Sequence, residues 1–364
     1  MSGLIDLFET AEINAINNHF DAAQRRHPAW TIMNAHDLRC DYKRKPKDYL
    51  TNQSVDLILS EKNGEHWLKG VRKRIAQTTD FEESVSALAE IRCYGALLEA
   101  GFSMRPIPTT NTPTADFEFT IGGETGIVEV AVKLEHDEQT RRAREIAAGN
   151  TPEGVERSSF EAKDARVDFV VSEKHPFGAP DPQKAGDTTQ TNAISRICSI
   201  KRTETQIVHG KAGLLWLDFR DLGGWPEVLK VHDTAPLISG HGGGLTSGPF
   251  WYAFYGWKGA PVFEEDLSRR QIITPMGHFG RFHPDSPKSL YSAAVICLAE
   301  STVVFENPSC PTPISNTTRS GLTRLPWFDI NHTVADWQGG DLTRATELSR
   351  SMIQTFFADR GHRG

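Results

Sequence analysis

The chain has 364 residues, of which 38% are hydrophobic and 24% are charged, and its formal net charge is −7. This length suits one large domain or two ordinary ones, and the acidic balance argues against indiscriminate coating of nucleic acid. No apolar stretch approaches the roughly 20 residues that span a bilayer, and the first residues lack the basic-then-apolar pattern of a secretion signal. The composition therefore predicts a soluble globular protein with no membrane partner.

The cysteines are odd in number, widely spaced and without a CxxC pair: Cys40, Cys93, Cys198, Cys297 and Cys310. This usage indicates reduced thiols rather than a disulfide framework or a zinc site. We therefore expect a cytoplasmic protein.

Residues 1–78 predict a mostly helical N-terminal region with a polar break at 36–53. The break and the helix after it each carry a basic group near aromatic residues, and the two groups are Lys43, Arg44, Lys45 and Lys47, then Lys69, Arg72, Lys73 and Arg74. A basic patch with interleaved aromatic residues is typical of a surface that binds a nucleic-acid backbone. A solvated helix face beside a loop has the same composition, so both interpretations stay open.

The next pattern predicts a helix over residues 81–100, because its apolar side chains recur at steps of three and four. Gly101 stands where a glycine commonly ends a helix. Residues 116–121 alternate between polar and apolar as a strand does, Gly122 and Gly123 supply a hairpin turn, and 127–134 follow as a strand rich in β-branched residues. A helix followed by a β-hairpin is therefore predicted.

Two long regions predict insertions. Residues 136–187 are charged and irregular apart from one strand-like run at 165–171, and residues 222–290 are rich in glycine, proline and aromatic side chains. The glycine-rich run at 240–248 lacks the Lys-Ser/Thr pair that ends a phosphate-binding loop, so it indicates a flexible loop.

The remaining patterns complete an α/β arrangement. They are a helix over 192–208 closed by Gly210, apolar strands at 213–219, 293–298 and 302–305, and a helix near 343–357. Because hairpins and helical crossovers both occur, we expect a mixed central sheet flanked by helices. The predicted organisation is a helical region at 1–78, an α/β domain at 79–308 with its two insertions, and a C-terminal tail with a helix at 309–364.

Four segments together resemble a known class of nucleases. They read AEIRCYGALLEAGF (89–102), TADFEF (114–119), GIVEVAVK (126–133) and, more weakly, IKRTETQIVHGKAGLLWLDF (200–219). They resemble the PD-(D/E)xK nuclease-like superfamily, in which a helical glutamate precedes a hairpin whose strands bring an aspartate and then the pair Glu-x-Lys. The resemblance implies a restriction-endonuclease-like core with Glu90, Asp116 and Glu129 at the acidic positions.

The resemblance also implies a cofactor, Mg²⁺ or Mn²⁺, held by Asp116 and Glu129. Such an ion neutralises charge at a phosphate and activates water near neutral pH, and Mg²⁺ prefers oxygen ligands. Glu129 carries the strongest signal, because it interrupts an apolar strand where a charge is costly unless it is paired or binds metal. Glu90 could instead be an ordinary charge at a helix flank, and Asp116 could simply open a strand.

The lysine of the family pattern is displaced. Position 131 is alanine, and Lys133 lies on the same strand face but about 6.6 Å from that position, at about 3.3 Å per residue. Lys201, on the predicted helix at 192–208, could reach the site from across the sheet. Lys133 and Lys201 are therefore both candidates for the catalytic lysine.

Two functions follow from the resemblance. The first is a Mg²⁺-dependent nuclease that cleaves DNA phosphodiester bonds, in a setting such as restriction, repair or defence against phage. The second is a catalytically inactive nuclease-like protein that binds nucleic acid or serves as an assembly subunit, with a partner subunit or a second copy of the chain. Ala131 and the long region 222–290 favour the second function, so both remain open.

Overall fold

The structure is a computed structural model, and it describes residues 3–20, 26–34, 46–79, 81–108, 113–133, 155–162, 165–172, 177–178, 180–181, 183–207, 210–222, 229–239, 244–265, 270–336, 347, 350–351 and 353–355. For residues 46, 155–162 and 165–172 the description covers the backbone. Cys40, Lys43, Arg44, Lys45 and part of the helix predicted near 343–357 lie outside the described residues. Of that helix, residues 347, 350–351 and 353–355 are helical.

The described helices and strands are as follows. The α-helices are α1 (Thr10–Asn18), α2 (Ala29–Met33), α3 (Pro46–Ser60), α4 (Gly64–Ile75), α5 (Phe81–Glu99), α6 (Thr189–Ser199), α7 (Pro249–Tyr255) and α8 (Asn316–Leu322). Short 3₁₀ helices lie at Leu4–Leu7 and Val231–Thr234. The strands are β1 (Ser103–Pro106), β2 (Phe117–Ile121), β3 (Glu124–Val132), β4 (Val155–Ala162), β5 (Ala165–Ser172), β6 (Ala212–Asp218), β7 (Leu237–Ser239), β8 (Leu245–Ser247), β9 (Pro261–Glu265), β10 (Gln271–Pro275), β11 (Ala293–Cys297) and β12 (Thr302–Glu306).

The central sheet has six strands in the order β1-β2-β3-β6-β11-β12. The strands β1, β2 and β3 form an antiparallel meander, β6 pairs in parallel with both β3 and β11, and β12 closes the sheet antiparallel to β11. The predicted mixed α/β sheet flanked by helices is confirmed. Three two-stranded hairpins, β4–β5, β7–β8 and β9–β10, lie outside this sheet.

The predicted helix and hairpin before the sheet centre are confirmed, and glycine sets their ends. Gly101 has a φ of 88° and donates its N–H to the Leu98 carbonyl oxygen, which ends α5. Gly122 and Gly123, with φ of 56° and 84°, form the tight turn between β2 and β3. Both turn residues lie in the left-handed region that glycine adopts without steric cost.

The sheet has a buried core on each face. Val128 and Val130 of β3 pack into the core formed with α5 and the N-terminal helices, whereas Ile127 and Ala131 pack into the core formed with α6 and α7. This division follows from the alternation of side chains along a strand. The side chain at position 129 therefore belongs to the α6 face of the sheet.

Several predicted boundaries are wrong. The helix predicted over 192–208 ends at Ser199, because Lys201 and Glu204 both adopt a φ of 51°, outside the helical range. The first insertion holds a complete hairpin, β4–β5, where one strand was expected. The second holds α7 and the strands β7 to β10, and the tail carries the unpredicted helix α8.

The helices in the described part of the chain were also compared with the length and apolar character that crossing a bilayer requires. None of them meets both conditions. The thiols of Cys93, Cys198, Cys297 and Cys310 are free.

Candidate active site

Asp116 and Glu129 are brought together by the β2–β3 hairpin. Phe117 pairs with Val128 in the register, so Asp116 meets β3 one step further along. The Asp116 N–H donates to the Val128 carbonyl oxygen at 3.1 Å, and the Val130 N–H donates to Asp116 Oδ2 at 2.7 Å. The carboxylate of Asp116 is thus held against β3, beside Glu129.

Glu129 is a fully buried carboxylate, with 0% of its surface exposed. The ammonium of Lys201 lies 2.5 Å from Glu129 Oε1, whereas the Lys201 side chain is 38% exposed. The side chains of Lys201 and Gln206 approach the carboxylate as donors, and two donors leave part of its acceptor capacity unused. A buried carboxylate with unused acceptor capacity is costly, so this position favours a cation and further donors.

The lysine that reaches Glu129 is therefore Lys201 rather than Lys133, which directly follows the last residue of β3. The sequence placed Lys201 on a helix, but the structure places it in a turn beyond α6. A left-handed conformation costs a non-glycine residue about 1 to 2 kcal/mol, so surrounding contacts must hold this turn in place.

Arg281 supplies those contacts from a buried position in which 2% of its surface is exposed. Its guanidinium donates to the carbonyl oxygen of Ile200, to that of Lys201 at 2.7 Å and to Glu204 Oε1 at 2.8 Å. Glu204 also accepts hydrogen bonds from the Ser289 hydroxyl at 2.7 Å and from a backbone N–H at 2.5 Å. The backbone that carries Lys201 is thus fixed at two carbonyl groups.

Glu90 approaches the site from α5 and is held by a guanidinium. Arg74 donates two hydrogen bonds to the Glu90 carboxylate, at 2.5 and 2.7 Å, and also pairs with Glu83. Glu90 is 7% exposed, and its negative charge raises the pKa of both Asp116 and Glu129. We name Glu90, Asp116, Glu129 and Lys201 the Glu129 cluster.

The electrostatics of the Glu129 cluster show an excess of negative charge. Burial, followed by the charges of Glu129 and Glu90, raises the pKa of Asp116 to about 7. Burial also raises the pKa of Glu129, and the charge of Lys201 opposes this shift. When a cation binds beside such a carboxylate, it stabilises the ionised form and lowers the raised pKa.

The donor set fits a hard divalent cation. Asp116 and Glu129 offer carboxylate oxygens, and Mg²⁺ is commonly held by one or two carboxylates while it keeps several waters. Throughout the described ranges, three or more His, Cys, Asp or Glu side chains nowhere converge as a ready-made metal cage. Asp116 and Glu129 would therefore supply such an ion with two carboxylate ligands.

Tyr291 lies near the same carboxylates. Its ring is fully buried, its hydroxyl has no hydrogen-bond partner among the described residues, and the Arg281 guanidinium lies 4.8 Å from its ring centroid. Burial and the charge of Glu129 raise the pKa of the Tyr291 phenol, so this group is a neutral donor directed at a negative region. Neither Tyr291 nor Arg281 carried a sequence signal, and the partners of Arg281 in the turn lie about 80 positions away in the chain.

The predicted nucleic-acid-binding residues within the described part of the chain are mostly paired with carboxylates. Lys47 pairs with Asp221 at 2.7 Å, and Arg74 pairs with Glu90. Arg72 pairs with Glu9 and Glu12. Lys73 is exposed on α4. Binding of nucleic acid at this surface stays a prediction.

A second buried group of charges lies at the end of β6, and we name it the Arg92 network. Arg92 is 0% exposed and donates to Asp218 Oδ2 at 2.8 Å and to Asp221 Oδ2 at 2.6 Å. Lys47 reaches Asp221, and the Arg220 guanidinium lies 3.4 Å from Asp218 Oδ2. Although burial opposes ionisation of Asp221, the charges of Arg92 and Lys47 lower its pKa well below the ordinary value.

Comparisons with known proteins were made for the whole chain. No family model, curated protein or solved structure matches it. The function proposed below therefore rests on the geometry of the Glu129 cluster and on the resemblance of the sequence segments.

Proposed function

We propose that this protein is a divalent-metal-dependent nuclease that cleaves DNA phosphodiester bonds. The observation that carries the proposal is the Lys201 ammonium at 2.5 Å from the buried Glu129 carboxylate, with Asp116 held beside it on the hairpin. Two acids and a lysine in one place are the groups that the family pattern requires. The lysine is supplied from outside the strand that carries Glu129.

The order of the elements supports the same assignment. Helix α5 brings Glu90, the hairpin of β2 and β3 brings Asp116 and Glu129, and the chain then returns through α6 to β6, parallel to β3. This is the helix-then-hairpin order of the PD-(D/E)xK class, and it favours a restriction-endonuclease-like core within the larger sheet. Ala131 packs into the apolar core on the α6 face, which leaves the lysine position open to Lys201.

The chemistry assigns a role to each side chain. When bound, Mg²⁺ or Mn²⁺ would supply charge neutralisation at the phosphate and a water that ionises near neutral pH. Asp116 and Glu129 would hold the ion through their carboxylate oxygens. Lys201 would orient the attacking water or donate to a phosphate oxygen, and Arg281 would keep Lys201 in position.

The test measures cleavage of plasmid and linear DNA by purified protein in 10 mM Mg²⁺ or Mn²⁺. We expect wild-type protein to cut, and Asp116→Asn and Glu129→Gln to lose at least about 1000-fold in rate, equivalent to about 4 kcal/mol of barrier. The matched control is Glu118→Gln, which changes a carboxylate on β2, two residues from Asp116, that pairs with Arg105 and Lys211 near the surface. Cutting at the wild-type rate by both Asn and Gln variants would refute the assignment.

A second candidate function follows from the burial of Glu129. Because its carboxylate is inaccessible and lies against Lys201, the ion pair can serve as a structural element of a nuclease-like protein that binds nucleic acid or a partner without cutting. Calorimetric titration with Mg²⁺ and Mn²⁺ separates the two. Absence of binding at 10 mM metal, together with retained DNA binding, would establish the second function.

A further inference from the structure

A small pocket opens on the outer side of the turn that carries Lys201. Its volume is about 190 Å³, and its walls are residues 202–204 of the turn and residues 286–288 of the loop that precedes β11, together with Arg281 and Leu290. We name it the Arg202–Lys288 pocket. Arg202 is adjacent in sequence to Lys201, so the pocket lies directly beside the Glu129 cluster.

The charge of this pocket is positive. Arg202 and Lys288 are exposed, Arg202 Nη1 donates to Cys198 Sγ at 3.0 Å, and among the described residues neither cation forms an ion pair. Glu204 is the acidic residue among its walls, and its two oxygens are already used by Arg281, Ser289 and a backbone N–H. Two cations are therefore left to meet a ligand, on a chain whose formal net charge is −7.

The size of the pocket and the hydrogen-bond donors in its walls suit a phosphate group as the ligand. A guanidinium presents paired N–H donors that match the oxygens of a phosphate, and a lysine adds a mobile point charge. The Thr203 hydroxyl is exposed at the same wall and can add a neutral donor. An apolar ligand would leave these charges without a partner.

The position of Arg202 relative to Lys201 indicates which phosphate the pocket would bind. Lys201 and Arg202 are consecutive in the turn, so their Cα atoms lie about 3.8 Å apart, and both long side chains can reach phosphates that follow one another on a strand. A strand that places one phosphate at the Glu129 cluster therefore brings a neighbouring phosphate within reach of Arg202. The turn would then contact two successive phosphates, one through Lys201 and one through Arg202.

We propose that the Arg202–Lys288 pocket binds a non-scissile phosphate of the polynucleotide backbone, next to the phosphate that is cleaved. This inference rests on the proposed nuclease function. The bound phosphate would fix the position of the DNA strand relative to the Glu129 cluster. It assigns Arg202 and Lys288 to substrate binding and leaves the chemical step to the Glu129 cluster.

The experiment compares Arg202→Ala/Lys288→Ala with the matched double variant Lys62→Ala/Lys230→Ala, which removes two exposed lysines that do not line the pocket. Binding of a fluorescein-labelled 20-base-pair duplex is measured by anisotropy in EDTA, over a range of KCl concentrations. We expect Kd to rise at least about tenfold and the slope of log Kd against log salt to fall by about 1 to 2 in the pocket variant. The control should stay within twofold of wild type.

Cleavage kinetics in Mg²⁺ provide the second readout. The pocket variant should raise KM and leave kcat within about twofold, because its residues contact a phosphate that does not react. If the pocket variant keeps the wild-type Kd and salt slope, the pocket does not bind a DNA phosphate, even if Asp116→Asn abolishes cutting. Conversely, wild-type protein could bind DNA tightly without cutting it, and the pocket variant could bind it more weakly. That outcome would refute the proposed nuclease activity and support the phosphate site.

Discussion

The Glu129 cluster and the Arg92 network both bury charge against the same sheet, and their charge balance is opposite. The Arg92 network places the cations Lys47, Arg92 and Arg220 around two aspartates, and the pKa of Asp221 is lowered. In the Glu129 cluster Lys201 pairs with Glu129, Arg74 is committed to Glu90, and the pKa of Asp116 is raised to about 7. In the first group each aspartate is paired with cations, whereas the second has more carboxylates than cations and an additional cation would stabilise its ionised form.

This difference teaches how a buried charge can be interpreted. Burial by itself opposes ionisation in both places, so the sign of the pKa shift reports whether the surroundings compensate for it. A compensated network joins parts of the fold, here α3, α5 and the end of β6. An uncompensated cluster that is reached by an exposed side chain is a candidate for function.

The largest expected effect tests the structural role of the Arg92 network. Arg92→Met leaves Asp218 and Asp221 buried without their shared cation, which should lower the free energy of unfolding by about 3 to 5 kcal/mol in urea denaturation. The control Arg105→Met removes a guanidinium from a largely exposed ion pair and should cost at most about 1 kcal/mol. Equal, small losses in both variants would show that the Arg92 network does not hold the fold.

The next effect separates the two lysines predicted from the sequence. Lys201→Met should reduce the rate of DNA cleavage by at least about 100-fold, because the group that orients the nucleophile is lost. Lys133→Met should change the rate by less than about threefold, because Lys201 is the lysine at Glu129. DNA binding measured in parallel should weaken in Lys201→Met by the loss of one phosphate contact and should change little in Lys133→Met. The reverse ranking of the two rates would assign the site to Lys133.

Metal binding should raise the free energy of unfolding through the Glu129 cluster and not through the Arg92 network. With 10 mM Mg²⁺ and a Kd of about 1 mM, the free energy of unfolding of wild type should rise by about 1.4 kcal/mol at pH 8. Asp116→Asn should abolish this rise, whereas Asp221→Asn should retain it, because Asp221 is already paired. A rise that survives in Asp116→Asn would place the metal elsewhere.

The smallest effect is a pH dependence with a defined sign. Because the pKa of Asp116 is about 7 in the folded protein and near 3.8 when unfolded, the folded state holds the extra proton between these values. The contribution of this group to stability therefore falls as pH rises through that window in the absence of metal. Asp116→Asn should flatten the fall between pH 5 and 8 and raise the free energy of unfolding at pH 8. Urea denaturation in EDTA at several pH values provides the measurement, and a steeper fall in the variant would contradict the raised pKa.

Local patterns in the sequence predicted the framework of the site. The apolar spacing before Gly101, the Gly122-Gly123 turn and the charge at position 129 inside an apolar strand each act over a few residues, so they can be read without the fold. The helix, the hairpin and the alternation that directs Glu129 to one face of the sheet followed from them. The apolar strands at the sheet centre were likewise predicted from short runs.

The choice of lysine could not be predicted in this way. The helix pattern at 192–208 continued through residues that the structure turns into the left-handed region, because Arg281 binds the carbonyl groups of Ile200 and Lys201 from about 80 residues away. A contact of that kind overrides local propensity and leaves no periodic trace in the sequence. Arg92 was likewise hidden inside a well-predicted helix, since its partners lie more than 120 positions further along the chain.

The sequence by itself determined that a carboxylate would stand inside an apolar strand next to a hairpin, because burial and strand alternation are local properties. Only the tertiary structure decided that Lys201 meets it, that Asp116 lies beside it, and that the cations of the Arg92 network surround two other aspartates. Those outcomes depend on which distant side chains fold together, and the free energy of a buried charge is set by its neighbours in space.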